Sequence, residues 1–108
     1  MSKTIQLWGP VTADTTAETV FTNVTGKASI LDTMIMANPS SGAATTVRLA
    51  QGTDGATTRI VDYTIPAGVG TYVIYPGNVL TSTTIYQLSS TSTDDVVVTT
   101  GNGREFAV

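Results

Sequence analysis

Apolar residues in this chain alternate with polar ones in short runs, and no stretch repeats them at the 3.6-residue spacing of an amphipathic helix. That single property decides most of what the chain can fold into. In "KTIQLWG" (3–9) Ile5 and Leu7 share one face and Trp8 takes the other. "ETVFTNV" (18–24) sets Val20, Thr22 and Val24 against Phe21, and "ATTVRLAQ" (44–51) turns Val47 and Leu49 inward with Arg48 outward. "TTRIVDYTIP" (57–66) aligns Val61, Tyr63 and Ile65. The longest run, "ASILDTMIMAN" (28–38), becomes apolar on both faces at Met34–Ala37, which predicts a central strand or one whose outer face meets another chain. "GTYVIYP", "TTIYQLSS", "DDVVVTT" and "REFAV" complete the series. The one segment that could start a helix, "TADTTAETVF" (12–21), holds Thr15, Thr16, Thr19 and Val20, all poor helix formers, and reads as a turn entering a strand.

The punctuation fits strands. "NPSSG" (38–42), "GTDG" (52–55), "PAGVG" (66–70), "PGN" (76–78), "TSTDD" (91–95) and "GNG" (101–103) carry turn chemistry. "GNG" between short strands predicts a tight hairpin. Strands at intervals of roughly 8–12 residues mark a sandwich or barrel. The expectation is an all-β chain: one antiparallel β-sandwich domain over residues 1–108, jelly-roll or Ig-like, of about eight or nine strands. Threonine, about one residue in five, supports it, because its β-branch is stiff and favours strands.

Composition narrows function by exclusion. Charged residues make up 12% of the chain and the net charge is −3. The five basic residues, Lys3, Lys27, Arg48, Arg59 and Arg104, are scattered, so no nucleic-acid partner is expected. No apolar run reaches the ~20 residues that span a bilayer, no signal peptide is expected at "MSKTIQLWGP", and no membrane partner is anticipated. Histidine and cysteine are absent, which removes the usual general base, the thiolate nucleophile and the commonest metal ligands. No base accompanies the turn serines Ser40, Ser41, Ser89, Ser90 and Ser92. The adjacent carboxylates Asp94 and Asp95 read as a solvated turn rather than a Ca²⁺ loop. Asp32 and Asp62 lie in mid-strand, where each could pair with Arg48 or Arg59. The expectation is therefore no enzyme activity, no catalytic residue, no metal and no cofactor.

Three stretches carry a resemblance. "TGKASILDTMIMANPSSGAATTVRLAQG" (25–52) is a strand ending in Ala-Asn, a Ser/Gly turn and an Ala-Thr-x-Val strand. "YTIPAGVGTYVIYPGNVLTSTTIYQLSS" (63–90) adds an "IPAG" corner, an aromatic-aliphatic strand, a "VL" step and a Thr-Ile-Tyr strand. "DDVVVTTGNGREF" (94–106) closes with a valine run and a short last strand. From Thr12 to Phe106 this order resembles the small all-β virion proteins of tailed bacteriophages, the decoration, neck and tail-associated β-sandwich modules. It departs from them at "TSTT" (81–84) and "GNGREF" (101–106).

The resemblance implies a structural protein of the virion, made in the host cytoplasm. Most concretely it implies a capsid decoration (cement) protein with capsid or other virion proteins as partners, present as a homo-oligomer. A neck, tail or fibre-attachment module is the alternative, and a carbohydrate- or receptor-binding sandwich a further one. The candidate interface residues are Trp8, Met34, Met36, Tyr72, Tyr75 and Phe106. Trp8 in particular is expected to be partly exposed, with simple core burial as the competing reading for "MIMA" and "YVIY".

Overall fold

The computed structural model describes residues 2–38, 44–68, 70–81, 83–91 and 97–107. Among these it contains nine strands and no helix: β1 (Ser2–Ala13), β2 (Glu18–Thr22), β3 (Lys27–Asn38), β4 (Thr45–Gln51), β5 (Arg59–Ile65), β6 (Gly70–Ile74), β7 (Asn78–Leu80), β8 (Ile85–Ser90) and β9 (Val97–Ala107). Every pairing is antiparallel. One sheet runs β1-β9-β3-β6, with β7 also on β3, and the other runs β2-β8-β4-β5.

The pairs β1–β9, β2–β8, β3–β6/β7 and β4–β5 are nested, as in one long antiparallel ribbon folded over at its middle. Counting β6 and β7 as one interrupted strand, this is the winding of a jelly roll, which decides between the two sandwich topologies the sequence allows. An Ig-like sandwich would instead group its strands as ABED and CFG.

The two sheets interleave a single core. Leu7, Trp8, Ala13, Leu31, Met34, Met36 and Leu80 enter from the first sheet, and Val47, Leu49, Val61, Ile65, Tyr86 and Leu88 from the second. The predicted alternation of β4 and β5 holds: Val47, Leu49, Val61 and Ile65 are buried while Asp62 and Thr64 are exposed. Full burial of each large apolar side chain contributes roughly 1.5–3 kcal/mol, so this layer is the main stabilising element.

Three polar groups enter the core with partners. The Trp8 indole donates to Thr99 Oγ1 at 3.1 Å. Asn78 Nδ2 bridges the sheets, donating to Tyr86 Oη at 2.8 Å and to Gln51 Oε1 at 3.0 Å. Asn23 anchors the β2–β3 turn, donating to the Lys27 carbonyl at 2.8 Å and accepting from the Ser29 hydroxyl at 2.6 Å.

Three expectations are corrected here. Trp8 is buried, with 4% of its surface accessible. The β1–β9 register slips between Gln6 and Trp8, and this bulge brings Leu7 and Trp8, neighbours in sequence, to the same side. "GNG" is not a hairpin: Gly101 and Gly103 lie inside β9, opposite Met34 and Leu31 of β3. Glycine is required there for close approach, since a Cβ on Gly101 would fall 2.5 Å from the Trp8 ring and one on Gly103 would strike the Ile30 carbonyl. "PGN" is not a reversal either. It interrupts one strand, with Gly77 at φ 63°.

The turns "NPSSG" and "TSTDD", with Asp94 and Asp95, lie wholly or mostly outside the described residues.

Candidate interaction surface

The outer face of the five-stranded sheet is shaped by two bulges that face each other across β3. Between β3 and β9 the pairs Leu31–Gly103 and Thr33–Asn102 leave Asp32 as an extra residue. Between β3 and its other neighbours, Met34 pairs with Ile74 but Leu31 with Asn78, so Tyr75-Pro76-Gly77 spans a gap of two β3 residues. The proline removes a ladder donor and the glycine takes the left-handed turn, so this sequence can only interrupt the strand. The Gly77 amide then donates to the Leu31 carbonyl at 2.8 Å, which fixes the bulge to β3.

Tyr75 is pushed out by this arrangement and is 76% exposed. Around it the outward positions are apolar. Val73 (45% exposed) pairs with Ile35, and Val79 (46% exposed) pairs with Ile30. These five side chains form a strip along the β3–β6/β7 side of the sheet. Its only charged neighbours on β3 and β9 at this level, Asp32 and Arg104, are bound to each other in a bidentate pair at 2.9 and 3.0 Å. The Arg104 guanidinium holds the Asp32 carboxyl below its ordinary value, chiefly through that hydrogen bond. Towards β1 the same face becomes polar and uncharged, with Thr33 opposite Asn102, and Asn102 opposite Gln6.

Of the six candidate interface residues, only Tyr75 lies fully on this surface. Met34 and Met36 are completely buried, as Trp8 nearly is, so none of the three can meet another chain without opening the sandwich. In "MIMA" the methionines point inward and Ile35 outward, and the doubly apolar character comes from the outer strip. In "YVIY", Tyr72 and Ile74 pack against the core and Val73 and Tyr75 face out. Tyr72 tilts against Tyr63 of the other sheet at a ring separation of 6.4 Å. Phe106 is half-buried at the end of β9, opposite Ala28 and Ser2. Val73, Val79, Ile30 and Ile35 were not singled out in the sequence. Strict alternation within "YVIY" and "MIMA" was the signal that could have found them.

Two further pairs of charged residues are structural. Asp62 and Arg48 face each other across β4–β5 at 3.6 Å. Asp54 receives Arg59 at 3.1 and 3.2 Å, and its backbone amide donates to Gln87 Oε1 at 2.9 Å. Asp32 therefore pairs with Arg104, not with Arg48 or Arg59 as anticipated. Among the described residues no group of three or more acidic side chains converges as a metal site would require, no pocket opens, and no helix is long and apolar enough to cross a membrane.

No family model matches the chain, and no curated protein matches it. Among solved structures it is similar to a chain described under "Bacillus endospore appendages form a novel family of disulfide-linked pili". That match has a TM-score of 0.52 at 10% identity, covering 100% of this chain and 88% of the other. A chain from infectious bursal disease virus Gx strain aligns with a TM-score of 0.37 at 11% identity, covering 40% of that chain. The first likeness is one of fold: a small all-β sandwich of the same outline.

Proposed function

We propose that the chain is a structural subunit of a tailed-phage virion, most concretely a decoration protein that binds the outside of the head in many copies and takes no part in bond-making. The observation that carries this is the strip Ile30, Ile35, Val73, Tyr75 and Val79. It is apolar and outward-facing, on a sandwich whose own core is already filled by other side chains. Burial of such a strip against a neighbour is favourable, and an exposed aromatic at its centre is the usual anchor of a protein contact. The pilus likeness supports the same class of role, since that protein of similar fold is described among appendages that form disulfide-linked pili. A disulfide link of the kind named there is unavailable to a chain with no cysteine, so contacts here are non-covalent.

A ligand that binds only the assembled shell stabilises that shell by mass action. Purified protein added to expanded heads should therefore co-sediment with them and raise their melting temperature. Heads that melt alike with and without it rule out decoration. Copy number per particle then separates a decoration protein from a neck or tail module, which would be present in only a few copies. The carbohydrate-binding alternative needs a shelf of exposed rings, whereas Tyr75 is the one large aromatic fully exposed among the described residues.

A further inference from the structure

The two sheets present four open edges, and three are guarded in the ways that stop a strand from pairing with a stranger. β1 carries Lys3 and Pro10 and has two register breaks against β9. β2 carries Glu18 and a break between Thr19 and Phe21. β5 carries Arg59 and Asp62, and its pairing with β4 is broken between Leu49 and Ala50. β6 differs from all of them. Gly70–Ile74 contains no charge and no proline, and pairs with β3 through five consecutive positions without a break; the bulge and Pro76 that interrupt this edge lie past Ile74 and leave those five residues open. Every second residue of such an edge strand aims its N–H and C=O away from the sheet, towards whatever lies beside it. On its outer face β6 carries Val73 and, just past its end, Tyr75.

A regular, uncharged edge is best completed by another regular, uncharged edge. Among the described strands of a second copy only β6 offers one. Each copy carries a net charge of −3, so contact is least opposed where no carboxylate stands unpaired, and on this strip the only acid, Asp32, is neutralised by Arg104. A strand meeting its own copy antiparallel does so about a two-fold axis, the commonest symmetry of a homo-oligomer. We propose that β6 pairs antiparallel with β6 of a second copy, fusing the two five-stranded sheets into one and continuing the outward apolar strip from one copy to the next. The inference builds on the reading of the chain as a structural subunit and names the partner of its exposed edge.

Sedimentation velocity on the isolated protein tests it. A concentration series should show a monomer–dimer equilibrium. Val73→Lys, which places a charge on the edge in both copies, should raise the dissociation constant by about tenfold or more with the melting temperature of the dilute monomer unchanged. Thr4→Lys on β1 should leave the constant as it is. Because the chain has no cysteine, a single Thr71→Cys or Val73→Cys should give a disulfide-linked dimer on mild oxidation, and Thr12→Cys on β1 should not. These cysteine variants carry the test if Val73→Lys fails to fold. A monomer throughout the series, an unchanged constant for folded Val73→Lys, or open polymers in place of dimers would each overturn the two-fold β6 contact. Shell binding is measured separately, so the decoration reading survives or fails independently.

Discussion

Gly101 lies directly opposite Trp8 in the β1–β9 pair, and the indole occupies the space that a side chain at 101 would need: three of its ring carbons stand 2.5–2.6 Å from where the Cβ would be. The indole cannot simply retreat. Its Nε1 is held by Thr99, and its ring meets Tyr86 edge-on at 6.0 Å. Gly101→Ala should therefore lower stability by about 1–3 kcal/mol through overpacking, read as a shift in urea midpoint at constant slope. In a Trp8→Phe background, which removes the outer part of the ring, the same substitution should cost less. Additive effects would show that the two positions are not in steric conflict.

The part-buried bridge from Asn78 to Tyr86 and Gln51 ties one sheet to the other. Asn78→Ala leaves the Tyr86 hydroxyl and the Gln51 carbonyl without that donor and should cost about 1–3 kcal/mol, more than Tyr86→Phe. Burial pushes the Tyr86 hydroxyl above its ordinary value of 10.0, with the Asn78 hydrogen bond opposing the shift. A raised acid pKa means the folded protein holds its proton longer than the unfolded chain. This contribution is thus full below pH ~10 and is lost as pH climbs through the folded value. Alkaline titration of stability should fall less steeply in Tyr86→Phe than in the parent protein.

At the acid end the carboxylates act in the opposite sense. Hydrogen bonds from Arg104 and Arg59 hold Asp32 and Asp54 below their ordinary value of 3.8, against a smaller desolvation effect. Their contribution is present above that value and is lost as pH falls through the lower folded values. Urea midpoints measured from pH 7 to pH 2 should decline below about pH 4 in the parent protein and decline less in the Asp32→Asn, Asp54→Asn double variant. Because both pairs are at least partly solvated, added salt should reduce the difference.

Core and surface roles of the apolar strands can be separated by two truncations. Met36→Ala removes a fully buried side chain and should cost about 2–5 kcal/mol in stability. Tyr75→Ala should leave the melting temperature unchanged and weaken attachment to expanded heads by about tenfold or more. A Tyr75→Ala protein that still binds heads at parental affinity would remove the strip from the attachment surface.

Much of this architecture is readable from alternation alone. The strands, the inward faces of β4 and β5, and the cross-strand Arg48–Asp62 pair follow from period two and turn residues. The readings that failed share one cause. At Trp8, at Pro76-Gly77 and at the two mid-strand glycines the backbone carries bulges or close approaches, and an extra residue resets which face the next side chain takes. Local pattern cannot register such a step, because the partner that defines it is distant in the chain. The outer strip was hidden for a related reason. In "MIMA" two inward methionines mask one outward isoleucine, and only the sheet shows which is which. Topology was legible as a sandwich but not as a jelly roll, since nesting is a property of pairs and not of segments.

The pairing of Ser2 with Phe106 and of Ala13 with Val97 closes the ribbon at its two far ends. During translation, β1 emerges from the ribosome roughly a hundred residues before the strand that will flank it, and β9 must also slot between β1 and β3. Until then β1 has no lateral neighbour in its own sheet, and Trp8 lacks both the Thr99 hydroxyl and the β9 backbone that cover it. Maturation therefore waits on β9, and a nascent chain stalled before residue 97 should expose that indole to solvent and to chaperones.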